Sequence, residues 1–207
     1  MGQTTRDFVP ALLALGLLVT LVGCSAGPDL DLGAEGDQAE ESVSTTPDVT
    51  PIVFTQPFSC TEILPASAIS SLAADGIELT QGPGSPSTEP IFVESQTPEE
   101  LAGGISCLFS IPDDEESGVY ILLSVAPVDP ALRPGIINDL LGQNLNVGQT
   151  PDGALTYWIW GDEIIVPALH NSLYEDSWYS ALIQPGGRAA YDQGVALVTQ
   201  MRQETTG

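Results

Sequence analysis

Side chains able to do acid–base or nucleophilic chemistry are few in this chain. His170 is the only imidazole, and a serine nucleophile would need it as an activating base. Asp162 or Asp176 lies close enough in sequence to orient its ring. No spacing marks out a partner serine, however, and the Gly-x-Ser-x-Gly elbow of serine hydrolases is missing. The four cations are all arginines, which excludes a serine–lysine pair. His170 follows an apolar run and precedes Asn171-Ser172, which predicts a surface position at a strand end. HExxH, phosphate-loop and CxxC patterns are missing too, and Gly82-Pro83-Gly84 reads as a turn. The residues therefore point to no catalytic group, no metal ligands and no cofactor.

Paired carboxylates are the other route to catalysis, with an acid and a base about 5 to 10 Å apart as in glycoside hydrolysis. Asp113, Asp114, Glu115 and Glu116 are adjacent, but they fall at a predicted hairpin tip. Nothing there would raise one pKa enough to make a proton donor. Asp162-Glu163 reads as a turn between strands and Glu175-Asp176 as a strand edge. Asp29, Asp31, Gly33, Glu35, Asp37 and Glu40 echo a calcium loop. The match fails at Gly33 and Ala34, where such a loop wants a ligand and then a glycine.

The tryptophans are more informative. Alternation along Leu155-Thr156-Tyr157-Trp158-Ile159-Trp160 puts Trp158 and Trp160 on one face of a strand and Leu155, Tyr157 and Ile159 on the other. On an open sheet face Trp158 and Trp160, with Trp178 beside them, form an apolar platform for a glycan or a protein partner. If both faces are covered, the three are core.

The elements that must position these residues belong to a chain of 207 residues and net charge −24, which argues against nucleic acid as a partner. Hydrophobic residues make up 43%, enough for a packed core. The N-terminus begins with a short polar stretch holding Arg6 and Asp7, followed by an apolar run from Phe8 to Val22. As a helix that run spans roughly 22 Å, short of a bilayer's hydrocarbon core. It ends in Leu21-Val22-Gly23-Cys24, which resembles the lipobox of bacterial prolipoproteins. The resemblance implies a signal peptide over residues 1–23, cleavage before Cys24 and diacylglycerol on its thiol. Two acyl chains give stable anchoring. The implied address is the extracytoplasmic face of the cell membrane, with the membrane itself a partner through Cys24.

Residues 24–51 hold seven acids between Ser25 and Pro51, no cation and three prolines, the composition of a disordered acidic linker. The domain is expected over 52–207. Cys60 and Cys107 remain after lipidation. Disulfides persist outside the cytoplasm, so the two are expected to pair.

Punctuation and periodicity place the elements. A helix is expected over Pro65–Ala74, ended by Gly76, and a brief strand over Ile91–Glu94. Strands Ile105–Ile111 and Val119–Val125 form a hairpin. A helix follows the Asp129-Pro130 start signal and carries Ile136, Ile137, Leu140 and Leu141. Strands Leu155–Trp160, Glu163–Leu169 and Trp178–Ile183 come next. A last helix over Gly187–Arg202 has Tyr191, Val195, Val198 and Met201 on one stripe. The fold class is α+β: one domain with one disulfide, a mainly antiparallel sheet, and helices covering one face.

The segments Phe58-Ser59-Cys60-Thr61-Glu62-Ile63-Leu64-Pro65 and Gly104-Ile105-Ser106-Cys107-Leu108-Phe109 resemble those of small lipobox-anchored domains of actinobacteria, most of them uncharacterised. That likeness implies a fold and an address but no activity. The functional expectation is a non-enzymatic envelope lipoprotein, a binding or protein-interaction module whose partner is an envelope protein or glycan. A carbohydrate-active envelope enzyme and a small-ligand-binding lipoprotein are the alternatives. An enzyme needs a cleft with converging acids, whereas an interaction module needs an exposed apolar patch.

Overall fold

The computed structural model describes residues 53–87, 96–114 and 117–207. The signal segment, Cys24, the acidic stretch to residue 51, the strand expected at Ile91–Glu94, and Glu115 and Glu116 lie outside the described residues.

The described chain is α+β. Seven strands form one antiparallel sheet: β1 Glu78–Gln81, β2 Ile105–Ser110, β3 Tyr120–Pro127, β4 Asn146–Gln149, β5 Leu155–Ile159, β6 Ala168–Leu173 and β7 Ser177–Gln184. Their order is β1-β2-β3-β7-β6-β5-β4, so two meanders meet where β3 pairs with β7. Four helices accompany them: α1 Ala66–Ala74, α2 Pro98–Leu101, α3 Arg133–Gly142 and α4 Arg188–Glu204.

Register sorts the strand residues onto two faces. Cys107 and Phe109 of β2, Ile121, Leu123 and Val125 of β3, and Tyr179, Ala181 and Ile183 of β7 line the first face. They pack against Ile63, Leu64 and Leu72 from one side and Leu197, Val198 and Met201 of α4 from the other. Val198 and Met201 of the expected stripe dock here, joined by Leu197, whereas Tyr191 and Val195 stay only half-buried. Cys60 and Cys107 form the disulfide within this layer, both fully buried, with Cα atoms 5.6 Å apart.

The second face carries a smaller apolar cluster. Tyr157, Leu173 and Trp178 pack with Val128 and with Ile136, Ile137 and Leu140 of α3. Beside it lies a row of hydroxyls. Ser106 Oγ is 2.7 Å from both Thr97 Oγ1 and Ser124 Oγ, all three residues buried under α2. Glu99 of α2 is buried there as well, hydrogen-bonded to Ser180, and burial raises its pKa and favours the neutral acid. Helices thus cover the first face as expected, and α2 and α3 add a partial cover on the second. α2 is held there by hydroxyl contacts, which leave no apolar stripe to read.

Two boundaries move for identifiable reasons. Asp129 accepts a hydrogen bond from the Ala131 N–H at 2.8 Å and makes a turn, so α3 starts later, at Arg133-Pro134. The strand expected over Glu163–Leu169 begins only at Ala168. Pro167 has no N–H for the ladder, and the Asp162 side chain takes the backbone donors of the preceding residues.

Candidate functional site

The β5–β6 connection and the start of α4 meet at one corner of the first face. β5 turns Thr156 and Trp158 toward the first face, with Trp160 just past its end and Trp158 directly opposite His170 of β6. The Trp158 and Trp160 rings stack, centroids 5.7 Å apart and planes 27° apart. Tyr191 of α4 closes on Trp158 at 5.1 Å. The Arg188 guanidinium lies 4.9 Å from the Trp160 ring centre and also pairs with Asp192. Trp158 is half-buried in this stack, whereas Trp160 keeps 44% of its surface exposed.

The platform extends into the loop that follows. Asp162 Oδ1 accepts hydrogen bonds from the N–H groups of Ile164, Ile165 and Val166 at 2.8, 2.6 and 3.1 Å. These donors hold its carboxyl below the usual carboxylate range. Its own N–H returns a bond to the Val166 carbonyl, and Gln184 Nε2 donates to the Ile164 carbonyl. The N–H of Gly187, just before α4, ties the loop down by donating to the Trp160 carbonyl at 2.7 Å. Gly161, at φ 68°, and Gly186 both lie against the Val166 carbonyl, where a Cβ would clash. The backbone is thus fixed by its own polar groups, and the aliphatic side chains are turned outward. Ile164 is 81% and Ile165 77% exposed, with the exposed Val166 next in the chain and Trp160 four residues before Ile164.

Trp178 does not join this platform. It sits on β7 facing the other way, buried beside Tyr157 and Leu173, with Nε1 donating to Asn171 Oδ1 at 3.0 Å. The parity of β7 relative to β5 decides this, and it is a property of sheet pairing that neither strand shows alone.

His170 is also corrected. It is the third residue of β6, 5% exposed and edge-on to Tyr191. Because β6 starts at Ala168, the residue after the expected strand becomes a central one that points inward. Its Nε2 lies 3.0 Å from Ser172 Oγ, a nucleophile–base spacing. Ser172 is sealed beneath the same layer, out of a substrate's reach, and His170 Nδ1 is buried with no hydrogen-bond partner among the described residues to orient the ring. Desolvation pushes the His170 pKa down to about 4, so the ring is neutral near pH 7.

Three of the candidate acids have local partners of their own. Asp176 binds Arg202 at 3.0 Å and accepts from the Phe54 N–H, while Asp162 caps its loop. Asp114 accepts from the Ser117 N–H in the β2–β3 turn. Among the described residues no group of three or more metal-ligating side chains converges. Ile164, Ile165, Arg188 and Tyr191 are the site residues missed in the sequence, where Pro167 was the available sign of a loop.

No protein family, curated protein or solved structure matches the chain, so the site is read from its own geometry.

Proposed function

We propose that the chain is an envelope lipoprotein, anchored through Cys24 at the extracytoplasmic face of the cell membrane, whose domain binds a protein partner through the Trp160–Val166 corner. One observation carries this reading: neighbouring apolar side chains stand exposed on a backbone locked by the Asp162 carboxylate. Exposed apolar groups clustered in one place mark interaction sites, and a prelocked loop loses little entropy on binding. A saccharide would ask for a flat ring edged by polar groups. Two protruding isoleucines suit an apolar socket on a protein. The sealing of the His170–Ser172 pair from solvent supports reading the module as non-enzymatic.

The test is native mass spectrometry of the anchored protein, gently extracted from its own envelope, beside an Ile164→Asp/Ile165→Asp variant. A complex of defined mass is expected for the parent and at least about thirtyfold weaker association for the variant. Both side chains are exposed, so the variant's folding stability should stay within about 0.5 kcal/mol of the parent. A complex equally abundant in both would overturn the reading. For the anchor, Cys24→Ala is expected to move the protein out of the membrane fraction, and undiminished retention there would contradict it.

A further inference from the structure

Taking the Trp160–Val166 corner as the docking site proposed above, we infer that its occupant is a basic protein surface, with lysines or arginines set around an apolar socket. The charged side chains of residues 160–166 and 188–192 are Asp162, Glu163, Arg188 and Asp192. On the loop side, Asp162 accepts three backbone N–H groups, which keep it ionised at neutral pH. Glu163 follows it, exposed, with its stem against Gly187 just before α4. On the helix side, Asp192 stands exposed one turn along α4. It holds Arg188, whose Nε donates to both of its oxygens at 2.9 and 3.1 Å while the guanidinium lies over Trp160.

Three carboxylates against one guanidinium leave these segments with two surplus negative charges, one carboxylate pair on the loop and the third on α4. The exposed Trp160, Ile164 and Ile165 belong to the same corner. The other described arginines are held elsewhere, Arg202 by Asp176 and Arg133 on the Tyr174 carbonyl. The chain as a whole, at net charge −24, adds a field of the same sign. An acidic protein or an anionic lipid surface is repelled by this arrangement. A cationic rim meets complementary charge where water still reaches, which speeds encounter and rejects wrong partners. The isoleucines fill the desolvated centre, where most of the binding energy resides.

The test is native mass spectrometry of the complex extracted with the full chain, comparing the parent with two variants. Ile164→Ser/Ile165→Ser removes the apolar side chains without changing charge. Glu163→Lys/Asp192→Lys reverses two charges and leaves the apolar side chains in place. Both variants are expected to weaken the complex, the charge reversal by at least about tenfold. A complex weakened by the serines but as strong as the parent's, or stronger, with the lysines would overturn the basic partner and leave the docking corner standing. No complex, or one unchanged by the serines, would overturn the docking corner and the basic partner with it. Should circular dichroism show the lysine variant unfolded, Glu163→Gln/Asp192→Asn decides. Its complex should weaken by about threefold, and an unchanged complex would overturn the basic partner.

Discussion

Replacing Cys60 and Cys107 with alanine is expected to cost about 4 kcal/mol of folding stability. The bridge closes a separation of 47 residues, from the turn before α1 to the middle of β2. It thereby removes many conformations from the unfolded chain. The native side matters too, because both cysteines are fully buried within the larger core layer. Gly82, at φ 113°, brings β1 so close that a Cβ there would lie 2.8 Å from Cys60 Sγ. For a domain of this size such a loss corresponds to a fall in Tm of roughly 10 to 15 °C. Thermal unfolding followed by circular dichroism on the parent and the double variant measures it. A shift below a few degrees would mean that the packing around α1 holds without the staple.

The second large effect is acid lability through His170. Its folded-state pKa lies near 4 against an ordinary 6.5, so the unfolded chain binds a proton more readily than the folded one. The stability from keeping this ring neutral is fully present above pH 6.5. It is lost as pH falls from there toward 4, by about 3 kcal/mol in all. Carboxylic acids also take up protons in this range, so the informative quantity is a difference. The parent should lose about 3 kcal/mol more than His170→Phe between pH 7 and pH 4, measured by urea unfolding at each pH. Parallel curves for the two proteins would show that the ring is hydrated in the folded state.

Much of the architecture was legible because local chemistry and tertiary packing agree. Pro65 and Gly76 bracket α1, the acidic turn separates β2 from β3, and Val198 and Met201 of the α4 stripe reach the core. β1 and β4 were not legible. Each is a four-residue edge strand of mostly polar residues, Glu-Leu-Thr-Gln and Asn-Val-Gly-Gln, which forms because a neighbouring strand pairs with it. The run Ile164-Ile165-Val166 has strand composition, but the Asp162 carboxylate competes for its N–H groups and wins. That one local hydrogen-bond choice shifts β6, brings His170 inside and leaves the isoleucines outside.

The candidate site was legible to the same degree. Period-two alternation suffices to place Trp158 and Trp160 together, and their rings do stack. Trp178 depends on how β7 registers against the rest of the sheet. Tyr191 and Arg188 reach the corner only because α4 docks across β6 and β7. Contacts between elements distant in sequence set these positions, and no spacing rule within one element reports them.

The central claim is that the Trp160–Val166 corner is where a protein partner sits. It is tested most directly by photo-crosslinking in intact cells, with Ile165→p-benzoylphenylalanine and, on exposed α3, Asp139→p-benzoylphenylalanine. One protein adduct of a single mass is expected from position 165 and none of that mass from position 139. No adduct from 165, or the same adducts from both positions, would contradict it.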